Sequence, residues 1–144
     1  MSCSYLTRLS RLFLLADSTQ FAYHWRVEFV ETPLFTQLLA DYLGEEEYRA
    51  LQLYLARAPE AGSIIPATGG FRKLRWSDRR RGKGKRGGLR VIYYYLVADF
   101  QIWLFTLFDK DETSDLSPAE KRMLKAAIEE EARQRRNRRI SRKR

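Results

Sequence analysis

The sequence predicts a single α+β domain, a small antiparallel sheet with an N-terminal helical hairpin and a C-terminal helix. Three observations carry this. The 144 residues suit one core. Stretches of period two cluster instead of alternating one by one with helical stretches, which disfavours a parallel doubly wound sheet. Two blocks of period 3.6 sit near the front and one closes the chain.

In order, Trp25 to Glu31 alternates as a half-buried strand, with Trp25, Val27 and Phe29 on one side and Arg26 and Glu28 on the other. Thr32 and Pro33 follow as N-cap and first helical residue, with Phe35, Leu38, Leu39 and Tyr42 at helical spacing and Gly44 placed to end the helix. Glu45, Glu46 and Glu47 complement the dipole of a second helix; Tyr48, Leu51 and Leu55 form its stripe, and Pro59 lies beyond its end. The Pro- and Gly-bearing segment from Pro59 to Gly70 reads as a connection.

Strands resume at Phe71 to Trp76. Alternation puts Leu74 and Trp76 on one face and Lys73 and Arg75 on the other. A loop from Ser77 to Gly88 leads to Leu89–Val97 and Phe100–Phe108, both rich in β-branched and aromatic residues and expected as an antiparallel hairpin. Ser117, Pro118 and Glu120 form a capping box opening a helix with an apolar face of Met123, Leu124, Ala127 and Ile128. The i,i+4 pairs Glu129/Arg133 and Glu131/Arg135 carry it to about Arg136. Residues 25–136 are thus the expected domain, and 137–144 a basic tail expected to be disordered.

Charge narrows the function. Lys and Arg number 27 against 18 Asp and Glu, a net +9. Ten of the cations fall between Arg72 and Arg90 against only Asp78, and eight more between Arg133 and Arg144 with no acid. The rest of the chain is acidic, at −8. Cations gathered this way point to a localised polyanion site. Two strands and a flexible loop bring together Arg72, Lys73, Arg75, Arg79, Arg80, Arg81, Lys83, Lys85, Arg86 and Arg90, followed by Tyr93 and Tyr94. Phosphates fit the cations and unpaired bases fit the tyrosines, so single-stranded RNA is the expected ligand. The tyrosine run cannot all face one way, and Trp76 and Trp103 suit the core better than stacking.

Several chemistries are disfavoured. A single Cys (Cys3) and a single His (His24) give neither a disulfide framework nor a Cys/His zinc site, and leave a nucleophilic triad to one imidazole. The loop glycines lack the spacing of a phosphate-binding P-loop. The apolar run from Leu12 to Ala16 is too short for a secretory signal, and no stretch reaches the length of a membrane span. A soluble cytoplasmic protein with no cofactor, no metal and no membrane partner is expected.

Six segments in order sharpen this: Phe29–Phe35 (FVETPLF), Glu46–Arg49 (EEYR), Ala58–Gly62 (APEAG), Ile65–Trp76 (IPATGGFRKLRW), Gly84–Tyr94 (GKRGGLRVIYY) and Asp115–Pro118 (DLSP). With these, the stretch from Val27 to Ile128 resembles the RelE/ParE superfamily of toxins of type II toxin–antitoxin systems, closest to its HigB/RelE-like branch. The resemblance implies a microbial-RNase-like fold and a metal-independent endoribonuclease that cleaves mRNA in the ribosomal A site and inhibits translation. It also implies neutralisation by a cognate antitoxin, often of helix-turn-helix type.

Carried across, the family's strand cations fall on Lys73 and Arg75, its central-strand arginine on Arg90 and its post-strand lysine on Lys110. Attack of a ribose 2′-OH on the adjacent phosphorus builds charge that fixed cations can stabilise without histidine. Arg75 and Arg90 are the expected phosphate clamp, and Lys73, crowded by Arg72, Arg75 and Arg90, the expected proton acceptor. The chain departs from the family at Phe108-Asp109-Lys110-Asp111-Glu112, where a tyrosine is missing and carboxylates appear; these are expected to weaken phosphate binding, pair with Arg90 or share in proton transfer. The resemblance does not cover residues 1–24, which read as an overextended start, an antitoxin-contacting addition or an inert appendage. The rival readings are a degenerate, non-catalytic member of the fold and a gyrase-directed ParE-type toxin.

Overall fold

A computed structural model describes residues 8–10, 27–79, 82, 84, 88–111 and 115–143. Strand β1 (Arg8–Ser10) and β2 (Glu28–Glu31) are followed by helices α1 (Pro33–Tyr42) and α2 (Glu45–Arg57). Then come β3 (Ser63–Ile64), β4 (Arg72–Trp76), β5 (Leu89–Leu96), β6 (Gln101–Asp109) and α3 (Pro118–Arg142). The fold is α+β. Its body is a five-stranded mixed sheet in the order β2-β6-β5-β4-β3, with the three-residue β1 pairing antiparallel along the outer side of β2.

The antiparallel expectation holds for β3 through β6 and fails at β2, which pairs with β6 in parallel. Parallel neighbours need a long crossover; here α1 and α2 carry the chain from β2 across one sheet face to β3 at the far edge, and β4 and β5 lead back to β6. Expected as half-buried, β2 is enclosed on both sides: Phe29 enters the core shared with α1 and α2, and Val30 the core shared with α3. The alternation at Trp25 and Arg26 lies outside the described residues.

Thr32 caps α1 as expected, accepting the Phe35 N–H at 3.1 Å. Its hydroxyl also donates to the Phe105 carbonyl at 2.7 Å. Phe105 is the extra residue where the β5–β6 register shifts, so one threonine pins the helix start to the sheet bulge. Gly44 does not end α1 in a left-handed conformation: with φ −74° and ψ 171° it is the N-cap of α2, and Leu43 ends α1. Behind these caps Phe35, Leu51 and Leu55 are fully buried against Leu104, Leu107 and Val91. Buried Glu31 accepts from Thr36 Oγ1 at 2.7 Å and Tyr48 Oη at 2.5 Å, tying β2, α1 and α2 together.

The expected connection from Pro59 to Gly70 contains β3, two residues whose pairing to Arg72 and Lys73 is set by β4, with no strand pattern of their own. On the opposite sheet face lies α3. Its capping box is formed, Glu120 N–H to Ser117 Oγ at 3.2 Å and Ser117 N–H to Glu120 Oε2 at 2.6 Å. Its apolar seam is Leu124 and Ile128 with Leu116; Met123 and Ala127 are exposed, contrary to expectation.

The tail is also corrected: α3 continues to Arg142. Its second half is docked by polar contacts. Arg135 pairs with Glu131 and with Asp99 at the β5–β6 turn, donates to Gln101 Oε1 at 2.8 Å, and lies over the Trp103 ring at 5.1 Å. Arg139 reaches the same Asp99 at 3.1 Å. Arg133 pairs with Glu130 in place of Glu129, which meets Lys125. Basic residues also complement the negative end of the helix dipole. Among the described residues no helix is long and apolar enough to cross a membrane.

Candidate nucleic-acid interface

The site follows from strand parity. In the β4–β5 ladder Leu74 faces Val91 and Trp76 faces Leu89, all directed to the α1/α2 core. The alternate positions therefore share the α3 side: Lys73 opposite Ile92, and Arg75 opposite Arg90. Cα atoms of directly opposed residues lie about 4.5–5.5 Å apart, so two guanidinium side chains leave the sheet from neighbouring points on one face. Arg75 is exposed, whereas Arg90 is only 6% exposed and donates from Nη1 to the Leu89 carbonyl at 3.3 Å.

Burial, then the charge of Arg75, lower the Arg90 pKa, and Asp109 opposes them. Like charges directly opposed on one face destabilise a ladder. Buried Asp109 is part of the compensation, and its Oδ1 also accepts the Asp111 N–H at 2.8 Å. The expected pairing of the 109–111 carboxylates with Arg90 thus has an electrostatic basis at Asp109.

Lys73 departs from its expected setting. Its Nζ meets Asp115 Oδ1 at 3.2 Å, an ion pair where a proton acceptor was expected to be crowded by cations. The Leu116 N–H bond to Asp115 and then Lys73 hold this carboxyl below its usual range. One of the supposed crowding cations faces the other way. Arg72 has the parity of Leu74, donates to the Glu60 and Gly62 carbonyls at 3.0 and 2.9 Å, and pairs with Glu60. It clamps the 60–62 loop and does not join the cation face.

Tyr93, expected to stack on a base, is 0% exposed on the α1/α2 side. Its hydroxyl donates to the Pro59 carbonyl at 2.7 Å and accepts the Gly62 N–H at 2.9 Å. No ring face is left for a ligand. Tyr94 is on the cation face, half-buried, edge-on to Phe71 with ring centroids 5.2 Å apart. Trp76 packs against the first core and Trp103 is buried in the second, as the sequence suggested.

No protein-family profile matches the chain. The loop between β4 and β5 is anchored at its ends by backbone geometry. A Cβ on Gly88 would stand 2.2 Å from the Trp76 carbonyl oxygen, so only glycine fits there. The Gly88 carbonyl accepts the Lys110 N–H at 3.4 Å, which seats exposed Lys110 at the loop base. Arg79 is exposed at the other end and closes a turn through the Gly82 N–H at 3.2 Å. Arg80, Arg81, Lys83, Lys85 and Arg86 lie outside the described residues, as do Cys3, His24 and residues 1–7. Among the described residues no cluster of His, Cys, Asp or Glu could hold a metal ion.

The structure thus brings Lys73, Arg75, Arg90 and Tyr94 to one face, seats Lys110 beside its loop, and removes Arg72 and Tyr93. Sequence reasoning missed Asp115 as a site residue. Its one local signal was its place two residues before the Ser117 cap, which fixes the direction of chain entering α3.

Proposed function

We propose that this face binds and cleaves RNA, and that the protein is the ribosome-dependent endoribonuclease toxin of a RelE/ParE-type toxin–antitoxin pair, with a RelE-like fold. The observation that carries the reading is the opposed Arg75 and Arg90 pair with Lys73 on the same face. A phosphodiester between the two guanidiniums accepts hydrogen bonds on its non-bridging oxygens and relieves the repulsion between them. The 2′-oxygen then forms a bond to phosphorus as the bond to the 5′-oxygen breaks. The 2′-proton leaves to solvent or a ribosomal group, and the leaving oxygen is protonated. The guanidiniums hold the linkage in line and stabilise the charge that grows on its oxygens. Lys73 enters as a further cation, released from Asp115 when phosphate arrives, and Lys110 contributes positive potential from the loop base.

A non-catalytic RNA-binding member of the same fold is the second reading. It is favoured by the carboxylates that already answer Lys73 and Arg90. The partners in the first reading are the ribosome, mRNA and a cognate helix-turn-helix antitoxin. Inducing the protein alone tests the pair of readings: growth arrest with mRNA cut inside coding frames supports the toxin. Intact mRNA with retained RNA binding supports the second reading, and intact mRNA with DNA damage points to a gyrase poison.

A further inference from the structure

Lys121 stands one turn into α3, in line with the seam that covers the sheet. Lys121, Leu124 and Ile128 follow the i, i+3, i+7 spacing of one helix side, and Leu124 and Ile128 belong to the core that contains Ile92 and Trp103. Lys121 is accordingly half-buried, whereas its neighbour Arg122 is exposed. Among the described residues the Lys121 ammonium has no ion pair.

Asp115, two residues before the helix cap, brings this lysine and Lys73 to bear on one carboxylate. Its Oδ1 takes the Lys73 ammonium at 3.2 Å and the Leu116 N–H at 2.8 Å. The Leu116 bond, then the charges of Lys73 and Lys121, hold the carboxyl below its usual range. Ammoniums from β4 and α3 thus act on an anion that the protein itself supplies, at the open end of the α3 side.

We infer that Lys73 and Lys121 form a second phosphate subsite beside the Arg75/Arg90 clamp, so that the face takes single-stranded RNA by two consecutive phosphates, with Asp115 holding the subsite when RNA is absent. The inference rests on the RNA face proposed above and adds a place for the phosphate next to the one that reacts. Lys73 and Arg75 leave the same face of β4 two residues apart, about 6.5–7 Å along the strand, comparable with one nucleotide step in an extended chain. The Lys73–Asp115 pair is open to solvent, with side chains 31% and 49% exposed, so it yields to a stronger anion. A phosphodiester has two non-bridging oxygens, one for each ammonium. Lysines hold phosphate as point charges without the fixed geometry of a guanidinium fork, which suits a phosphate that is positioned and not cleaved.

The test uses the full chain and a 2′-O-methyl dinucleotide, which lacks the reacting hydroxyl, with no terminal phosphate, a 5′-phosphate or a 3′-phosphate. On wild type, one of the two terminal phosphates should lower the dissociation constant about fivefold or more. In Lys121→Gln that gain should shrink to less than about twofold, with affinity for the unphosphorylated dinucleotide unchanged, which guards against a loss through misfolding. Lys121→Arg keeps the charge and should keep most of the gain, and Asp115→Asn should enlarge it. Arg122→Gln removes the same charge from another side of α3 and should leave the gain intact. No gain from either terminal phosphate on wild type, a full gain in Lys121→Gln, or an equal loss in Arg122→Gln would overturn the inference alone. Arg75→Gln should weaken all three ligands; wild-type affinity for the unphosphorylated dinucleotide in that variant would refute the clamp, and the inference with it.

Discussion

The two faces of the sheet are built from alternate residues of the same strands, yet they are closed to different degrees. The α1/α2 face is closed: Leu74, Val91, Tyr93 and Leu104 meet two helices, and two of its polar groups, the Glu31 carboxylate and the Tyr93 hydroxyl, are bonded within the protein. The α3 face is closed only in part. Leu124 and Ile128 cover Ile92 and Trp103, while the far ends of β4 and β5 present Arg75, Arg90 and Lys73. One helix where the other face has two leaves cations where a core would otherwise continue. A one-residue step along β4 or β5 thus separates the residues that close the α1/α2 core from those that form the proposed RNA face.

Leu51→Ala on the closed face removes a fully buried side chain and should cost about 2–5 kcal/mol, read as a lower denaturant midpoint, with RNA affinity unchanged while the protein stays folded. A loss of affinity without loss of stability would mean the faces are not separate.

That contrast also explains what could be read in advance. The caps at Thr32 and Ser117 and the parity of Lys73, Leu74, Arg75 and Trp76 are local, written within a few residues. The parallel pairing of β2 with β6 joins residues 73 apart, such as Glu28 and Gln101, and no local pattern specifies it. The same holds for the extension of α3. Arg135 and Arg139 are docked by Asp99, 36 and 40 residues away, and a basic run without its acid partner reads as a tail. In the site, the cation face was legible from alternation. The face of Tyr93 was obscured because Tyr93, Tyr94 and Tyr95 look alike in sequence, and only the cross-strand partners distinguish them.

A smaller effect is expected at Tyr93. Tyr93→Phe keeps the ring and removes both bonds to the 59–62 loop, leaving the Gly62 N–H without its partner, at a cost of about 1–3 kcal/mol. Thermal unfolding checks this, and RNA binding by the folded variant should match wild type. Weakened binding at full stability would restore Tyr93 to the ligand face.

The smallest change in stability is expected at Asp115. The pair with Lys73 is half-exposed, so Asp115→Asn should alter stability by less than about 1 kcal/mol while tightening RNA binding by freeing the ammonium. Because its folded pKa is depressed, this carboxyl stabilises the fold above about pH 4 and stops doing so as the pH falls through its lower folded value. Wild type and Asp115→Asn should therefore converge in stability in strong acid. If they converge instead at neutral pH and part in acid, the sign of the ion pair's contribution is wrong.

The most direct measurement is mRNA cleavage on translating ribosomes by wild type and Arg75→Gln. Arg75 is exposed on the sheet and its replacement spares the core. If the opposed guanidiniums stabilise the charge built at one RNA linkage, cleavage falls by about 100-fold or more while the folded fraction is unchanged. Cleavage at the wild-type rate by the folded variant would contradict the account.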